Sequence, residues 1–322
     1  MRRRIKWRRS MSIAIVNKTA RQRSTVQVWQ LLKLCIAVLV LVAITYFAIG
    51  AYMADGLAHA ERAPLTSTPA DQGLPYERVA FASAVDNIPL QGWFIGSGGH
   101  KTILMLHARN GRRDDPTVGL PDVARALVQN GYDVFAFDFR AHGESGGSHL
   151  GFGTLEVRDV AGALAYLRTR GIAEVGTIGF SMGAATTLNS AAEYPAMRAV
   201  VADSSFADLQ LLLDTQVPRA SGLPPFLLPG MELMSRLWLG SDLANDKPAH
   251  SVARLGERPV LLIHGTADED VPLSHAYMLQ QAGANDPNLQ LWIVPGAEHV
   301  RAFKHVPDEY LKRVLAFFKQ YL

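Results

Sequence analysis

Short β-branched and aromatic runs alternate with longer amphipathic runs through most of this 322-residue chain. Runs with the length of strands lie at residues 78–85, 89–95, 101–107, 132–138, 174–180, 198–203, 258–264 and 289–294. Segments with helical patterns lie at residues 118–130, 155–170, 182–193, 273–284 and 308–321. Runs such as TILML and VLLI are continuously apolar, which is typical of strands covered on both faces. The alternation predicts an α/β fold with a doubly wound, mostly parallel sheet of eight strands.

Two segments depart from this alternation. The first two strand runs are separated by a short turn that contains Asp86 and Asn87, which predicts an antiparallel hairpin. Residues 204–256 are a proline-broken insertion that is too long for a simple crossover, and we interpret it as a helical cap over the carboxyl edge of the sheet. The alternative is a set of helices packed flat on the body. Apolar residues available to line a pocket under this cap are Leu211, Phe226, Leu233, Met234 and Trp238.

The formal net charge of +3 hides a strong asymmetry along the chain. Residues 1–33 contain ten Lys or Arg and no Asp or Glu, which leaves 22 basic against 29 acidic residues in the remainder. The remainder thus carries a formal charge of −7. Because the basic character belongs to the tail, the composition argues against a basic nucleic-acid-binding domain.

An uncharged run of nineteen residues, LCIAVLVLVAITYFAIGAY at residues 34–52, follows this basic tail. As a helix it would span about 28 Å, which is close to the hydrocarbon thickness of a bilayer. The run predicts a transmembrane anchor at residues 34–54. By the positive-inside rule, the tail is then cytoplasmic and the chain beyond the anchor is extracytoplasmic. The alternative is an exported protein cleaved after Ala60, because Ala58-His59-Ala60 resembles a signal-peptide cleavage site.

Residues 55–75 are small, polar and proline-bearing, and we interpret them as a linker to a folded domain at residues 76–322. The only cysteine, Cys35, lies inside the apolar run, so the folded domain has no thiol for a disulfide or a metal. No cluster of His, Asp and Glu shows the sequence spacing of metal ligands. We therefore predict no metal and no organic cofactor.

The pentapeptide GFSMG at residues 179–183 stands between a predicted buried strand and a predicted helix and fits the G-x-S-x-G pattern. A serine on such a sharp turn needs small neighbours two positions away, because the strand and the helix approach closely there. The N–H groups at the start of the helix can stabilise a developing oxyanion. We interpret Ser181 as a nucleophile rather than as a structural turn residue.

A serine nucleophile needs a base, and the base must be oriented by a third group. Downstream of Ser181, the strand run 258–264 leads into a loop with Asp268, and the run 289–294 leads into a loop with His299. The carboxyl ends of parallel strands meet at one edge of the sheet, so these loops should lie beside Ser181. We interpret Asp268 as the acid and His299 as the base of a Ser–His–Asp triad.

Each of these two positions has alternatives. Glu269 and Asp270 are adjacent carboxylates, and Asp203 ends the strand run that follows Ser181. His305 is the nearest alternative histidine.

The motifs GFSMG, HGTADEDVP and GAEH, with YDVFAFDFRAHGESGG at residues 132–147, resemble the α/β-hydrolase superfamily. Within it the chain is most similar to the bacterial branch of serine aminopeptidases and monoacylglycerol lipases. The resemblance extends from about residue 76 to residue 322. It implies the α/β-hydrolase fold, and it implies that Arg140 and Ser145 fix a loop and take no part in chemistry.

The resemblance also implies an oxyanion hole made by the backbone N–H groups of Met182 and Arg109. Ala108 stands where family members usually carry glycine, which matters if that position needs a positive φ. We expect the side chain of Arg109 to be solvated, the alternative being a contact with an anionic group of the substrate.

The expected function is hydrolysis of a carboxylic ester with a small or medium acyl group, lipid-like esters included, through an acyl-enzyme. The alternatives are an aminopeptidase or amidase that uses the same triad, and a non-catalytic binding module that has kept the hydrolase fold. The expected partners are a small-molecule ester and, through the amino-terminal helix, a membrane.

Overall fold

The computed structural model describes residues 2–96 and 101–322, and for residues 2–25 it describes the backbone alone. One eight-stranded sheet has the order β1-β2-β4-β3-β5-β6-β7-β8. β2 is antiparallel to β1 and β4, and the remaining neighbours pair in parallel. The strands are β1 (Tyr76–Ala82), β2 (Pro89–Ile95), β3 (Lys101–Leu106), β4 (Tyr132–Phe137), β5 (Val175–Phe180), β6 (Met197–Asp203), β7 (Val260–Gly265) and β8 (Leu289–Val294). The predicted fold class and the predicted hairpin are confirmed.

Helices cover both faces of this sheet. In the described part of the chain the α-helices are α1 (Arg2–Ala58), α2 (Leu120–Gln129), α3 (Glu156–Thr169), α4 (Met182–Glu193), α5 (Leu209–Ser221), α6 (Leu228–Met234), α7 (Pro248–Val252), α8 (Ser274–Ala282), α9 (Ala302–His305) and α10 (Pro307–Tyr321). Buried residues of α2, α9 and α10 form the core on one face. Those of α3, α4, α7 and α8 form the core on the other.

The apolar character of the central strands follows from this double cover. In β3, Ile103 and Met105 belong to one core, whereas Leu104 and Leu106 belong to the other. Alternate side chains of a strand point to opposite faces, so a strand covered twice is largely apolar on both faces. β8 lies at the edge of the sheet, and most of its residues are only partly buried.

The insertion at residues 204–256 forms α5, α6, α7 and short 3-10 and π turns. Its apolar residues pack in a third core that includes Met53 and Ala54 of α1. The five residues predicted to line a pocket do not line the cavity that lies beside Ser181. Leu211, Phe226 and Trp238 are exposed, and Leu233 and Met234 are partly buried elsewhere. The face of α5 that covers the cavity is instead formed by residues spaced one helical turn apart, Leu212, Leu213, Gln216, Val217 and Ala220.

α1 is a single helix that contains the predicted anchor and extends four residues into the predicted linker. Its part Val26–Ala58 has an 18-residue window with a mean hydropathy of 2.6, of which only 6% is buried. A core helix of a soluble domain would be mostly buried. α1 is therefore long and apolar enough to cross a membrane, while the crossing and its orientation stay predictions. Residues 59–75 contain one 3-10 turn, Pro69–Gln72.

Candidate active site

Ser181 lies on the turn between β5 and α4, with φ 53° and ψ −116°. The two flanking glycines are required by close packing. A β-carbon at Gly179 would lie 2.3 Å from the carbonyl oxygen of Gly183, and one at Gly183 would lie 2.5 Å from the carbonyl oxygen of Leu106. The N–H of Ser181 donates to the carbonyl of Asp203 at the end of β6. The neighbouring strand and the glycines together hold the serine in its left-handed conformation.

Ser181, His299 and Asp268 form a continuous hydrogen-bonded chain. His299 Nε2 lies 2.8 Å from Ser181 Oγ, and His299 Nδ1 lies 2.8 Å from Asp268 Oδ2. Asp268 is itself held, because its Oδ1 accepts from the N–H groups of Val271 (2.7 Å) and Asp270 (3.1 Å). This arrangement orients the imidazole so that Nε2 faces the serine hydroxyl, as a general base must.

The alternative residues do not take the place of Asp268 or His299 in this hydrogen-bonded chain, and Asp270, which lines the same cavity, contributes only its backbone N–H to it. Asp203 is fully buried, and its carboxylate accepts from Tyr310 Oη (2.9 Å) and Ser204 Oγ (3.0 Å). Burial raises the pKa of Asp203 to about 6, although these two hydrogen bonds lower it. Glu269 is exposed and forms an ion pair with Arg219. His305 lies on α9 with an exposed side chain.

A second histidine, His264, is buried and contacts Asp268, and it was not identified from the sequence as part of the site. Its Nε2 lies 2.8 Å from the carbonyl oxygen of Val271 and 3.4 Å from Asp268 Oδ2. Burial lowers the pKa of His264. Its position at the end of β7, four residues before Asp268, is the sequence signal that could have found it.

The loop after β3 carries the predicted oxyanion donor Arg109 and is ordered by His107 and His142. Asn110, with φ 58°, donates its N–H to His142 Nε2 (3.2 Å). His107 Nε2 accepts from the N–H of Phe139 (2.9 Å). The φ angle of Ala108 is not positive, so its side chain causes no backbone strain. In this chain the left-handed residue of the loop is Asn110.

His107, after β3, and His142, in the loop after β4, are both held neutral. The Nδ1 of His107 lies 2.7 Å from the carbonyl oxygen of Ala108, and the Nδ1 of His142 lies 2.7 Å from that of Arg140. Each ring therefore donates through Nδ1–H and accepts through Nε2, a pattern that a doubly protonated ring cannot make. Burial lowers the pKa of His107 to about 4 and that of His142 to about 3, with each reduced further by nearby positive charge.

These histidines should make the fold acid-sensitive, and His142→Gln should remove part of that sensitivity. The folded-state pKa of His142 is below the unfolded value of 6.5, so its stabilising contribution is complete above pH 6.5 and is lost as the pH falls towards 3. Between pH 7 and pH 5 the contribution of His142 alone to this loss should be about 2 kcal/mol. We expect a smaller acid shift of the melting temperature in the variant, measured in the same detergent. Equal shifts in both proteins would contradict this account.

Arg140 and Ser145 have structural contacts, as the resemblance implied. Arg140 is buried and pairs with Asp159 (2.7 Å) and Asp86 (2.7 Å). Ser145 Oγ donates to the carbonyl of Asp138 and accepts from the N–H of Gln91. These contacts connect the loop after β4 to α3 and to the β1–β2 hairpin.

The side chain of Arg109 is partly buried and bonded to the protein, whereas a solvated side chain was expected. Its Nη2 donates to the carbonyl of Leu57 at the end of α1 (3.1 Å), and its guanidinium lies 5.1 Å from the ring centre of Phe152. Arg109 thus connects the loop after β3 to the last turn of α1.

A cavity of about 910 Å³ opens beside Ser181 and His299. Its walls come from the loop after β3, from α5, and from the last turns of α1, and most of its side chains are apolar. The apolar lining residues include Tyr52, Met53, Leu57, Val118, Phe152, Met182, Phe206, Leu212, Leu213, Val217 and Leu223. The arrangement places a serine hydroxyl that is hydrogen-bonded to an imidazole beside a pocket that suits an apolar ligand.

One further group of side chains, near the end of α1, could hold a metal ion, and its member Asp55 also lines the cavity. Asp55, His59 and His149 each offer one ligand atom, a carboxylate oxygen or a ring nitrogen, and these three atoms lie within 4.8 Å of one another. Two imidazoles and a carboxylate are donors of the kind that bind Zn²⁺. The sequence analysis missed this group because His149 is distant from the other two residues along the chain.

Residues 101–231 match the sequence profile of the α/β hydrolase fold family. Protein YfhR of Escherichia coli (strain K12) is 29% identical over 236 residues, which cover 70% of this chain and 74% of YfhR. Esterase YjfP of the same organism is 29% identical over 152 residues, 45% of this chain and 55% of YjfP. A solved esterase of Pyrococcus furiosus is similar with a TM-score of 0.70 and 29% identity, covering 82% of this chain and 98% of the esterase.

The sequence match and the sheet topology confirm the resemblance to the α/β-hydrolase superfamily, and the chain has the α/β-hydrolase fold. The findings support a hydrolase as the class of protein. The closer resemblance to serine aminopeptidases and monoacylglycerol lipases stays a prediction.

Proposed function

We propose that this protein is a serine hydrolase that cleaves a carboxylic ester through a Ser181–His299–Asp268 triad. The observation that carries the proposal is the hydrogen-bonded chain of these three side chains at an apolar cavity. The esterase names of two similar proteins, YjfP and the Pyrococcus furiosus enzyme, point to the same substrate class.

In the first half-reaction, Ser181 Oγ attacks the acyl carbon while its proton moves to His299 Nε2. The carbonyl electron pair moves onto oxygen, and the N–H groups of Met182 and Arg109 stabilise the resulting oxyanion. Asp268 stabilises the imidazolium. Collapse of the intermediate breaks the C–O bond, and His299 returns the proton to the departing alcohol. The acyl group is left on Ser181.

In the second half-reaction, His299 takes a proton from water, and the hydroxide attacks the acyl-enzyme. The same donors stabilise the second oxyanion, and collapse returns the proton to Ser181 Oγ as the carboxylic acid leaves. No further reactant is needed, because water is the only other substrate.

An aminopeptidase or amidase on the same triad is the second candidate. The observation that favours it is Asp270, an exposed carboxylate that lines the cavity and could bind a free ammonium group. A panel of chromogenic esters and amino-terminal peptide amides separates the two. Ester turnover without peptide cleavage supports the esterase, and the reverse result supports the aminopeptidase.

A non-catalytic binding module would not need the hydrogen-bonded chain at Ser181. Fluorophosphonate labelling of the purified full-length protein tests this alternative. Absence of both labelling and turnover in a folded sample would favour the binding module.

We also propose that α1 anchors the enzyme in a membrane with residues 1–33 in the cytoplasm and the catalytic domain on the other side. The supporting features are the ten basic residues before an apolar run and the low burial of that run. The carbonyl of Ala58 accepts from the N–H of Leu150 (2.8 Å), so the alternative cleavage site at Ala60 lies next to a residue that is bonded to the folded domain.

Leu39→Arg combined with Val42→Asp should impair membrane insertion. Each charge at the centre of a membrane helix costs about 2.5–3.5 kcal/mol on insertion scales. We expect the variant to appear in the carbonate-extractable fraction, whereas the matched control Leu39→Val with Val42→Leu stays in the membrane pellet. An equal membrane fraction for both proteins would contradict the anchor. A mature amino terminus at Glu61 in the wild type would show cleavage instead.

A further inference from the structure

We infer that the last turns of α1 are a wall of the acyl pocket, and that the substrate is a long-chain ester whose acyl chain enters from the lipid bilayer along this helix. The inference rests on the proposed esterase function. It assigns α1 a role in substrate binding in addition to anchoring.

The end of α1 contributes directly to the cavity beside Ser181. Tyr52, Met53, Gly56 and Leu57 line the same cavity as the nucleophile. Met53 is buried at 8% exposure, although residues 26–49 of α1 are largely exposed. The helix therefore changes from an exposed apolar rod to a packed element within about one turn.

The packing of α1 on the cap is close enough to fix this wall in place. A β-carbon at Gly50 would lie 2.6 Å from the carbonyl carbon of Gly230, and one at Gly230 would lie 2.7 Å from the ring of Tyr46. Tyr46 Oη also donates to the carbonyl of Phe226 (2.9 Å). Contact of this kind, with glycine in both helices, is typical of helices that stay together in a membrane.

The carboxyl end of α1 is held by the catalytic domain. The carbonyl of Leu57 accepts from Arg109 Nη2, and the carbonyl of Ala58 accepts from the N–H of Leu150. The last carbonyls of a helix otherwise lack intrahelical partners, and a cation there also offsets the helix dipole. The residue whose N–H is the proposed oxyanion donor thus also holds the anchor helix.

The depth of these contacts brings the cap to the lipid. Tyr46 lies six residues before the end of the apolar run at Tyr52, about 9 Å along the helix axis. If the run crosses the bilayer, the part of the cap that contacts Tyr46 must lie closer to the bilayer centre than Tyr52 does. It then lies within the membrane–water interface. A cap placed there should have an apolar outer face.

The cap has such a face beside α1. Phe226, Leu237 and Trp238 are 67%, 70% and 60% exposed, and the turn at residues 235–239 contacts α1. Outside α1, the other large apolar side chains found exposed in the described chain are only Val85, Leu211 and Tyr277. The patch is therefore concentrated next to the helix, and tryptophan is a residue that settles at the membrane interface. This patch contacts the lipid surface, because the patch continues the exposed apolar surface of α1.

The Gly56→Leu variant tests directly whether the end of α1 is a wall of the acyl pocket. Gly56 lines the cavity and a β-carbon there has nothing within 4 Å, so a leucine adds bulk at the cavity wall without disturbing the packing. Ala48→Leu is the matched control, because it adds bulk at an exposed position of α1 that does not line the cavity. The full-length protein is assayed in phosphatidylcholine nanodiscs with p-nitrophenyl butyrate and p-nitrophenyl laurate. We expect Gly56→Leu to lower kcat/KM at least tenfold for the laurate and less than threefold for the butyrate.

Phe226→Gln with Trp238→Gln tests entry from the bilayer. We expect laurate hydrolysis in nanodiscs to fall at least fivefold, while butyrate hydrolysis in detergent micelles changes less than twofold. The inference is overturned if Gly56→Leu leaves the laurate/butyrate ratio unchanged, or if the cap variant loses both activities equally. In either case wild-type turnover of butyrate would leave the esterase proposal intact. If the wild type hydrolyses neither ester, the proposed function fails and the inference fails with it.

Discussion

Replacing Ser181 with alanine is expected to lower ester turnover by about a million-fold, the scale of loss known for the nucleophile of a serine triad. The change removes only the hydroxyl that lies 2.8 Å from His299 Nε2. Alanine can follow the same turn, because the contacts that fix φ at 53° come from the backbone and from the flanking glycines. The fold should therefore remain, and circular dichroism and melting temperature of the variant should match those of wild type.

Ser205→Ala is the matched control for this variant. Ser205 is also buried after β6, but its hydroxyl donates to the carbonyl of Phe206. We expect it to keep turnover within a few-fold of wild type. Full activity of Ser181→Ala, or an equal loss in both variants, would contradict the role of Ser181 as nucleophile.

Asp268→Asn is expected to lower kcat by about 10⁴-fold with little change in the fold. The reason lies in the two backbone N–H groups of Asp270 and Val271, which donate to Asp268 Oδ1. They will hold the amide oxygen of an asparagine in that place, so its NH₂ group must face His299 Nδ1. The imidazole then accepts at Nδ1 and carries its proton on Nε2, directed at Ser181. A ring in this tautomer cannot take the serine proton.

Glu269→Gln is the control for the loss of a carboxylate in the same loop. Its side chain is exposed and pairs with Arg219, so kcat should stay within about twofold of wild type. Steady-state kinetics of wild type and of the Asp268→Asn, Glu269→Gln and Asp203→Asn variants on one soluble ester give the comparison. A larger loss in Asp203→Asn than in Asp268→Asn, with both variants folded, would move the acid to the end of β6.

The strands and the placement of Ser181, Asp268 and His299 at one edge of the sheet were accessible from the sequence for a common physical reason. A strand covered on both faces is largely apolar on both of them, so β3, β5 and β7 stand out as short, mostly apolar runs. Parallel strands end at one edge of the sheet, which brings the loops of Ser181, Asp268 and His299 together without any knowledge of their packing. The glycines at 179 and 183 followed from the close approach that such a turn demands.

The features that were missed depend on contacts between distant segments. The apolar residues of the cap could be recognised, but which of them face the cavity depends on how α5 is rotated over the site. The Arg109–Leu57 contact and the group formed by Asp55, His59 and His149 join α1 to loops far along the chain. Periodicity reports the face of a helix that is buried but does not identify the segment that covers it. For this reason the sequence predicted an anchor, whereas its role as a cavity wall required the structure.

The most direct test of the central claim is to identify the residue that carries the adduct after the full-length protein reacts with a fluorophosphonate. Peptide mass spectrometry of the digested protein locates the adduct, and p-nitrophenyl butyrate turnover measured in parallel gives the remaining activity. The account predicts one adduct, on Ser181, formed in proportion to the loss of turnover. An adduct on another residue, or complete modification of Ser181 with turnover unchanged, would contradict it.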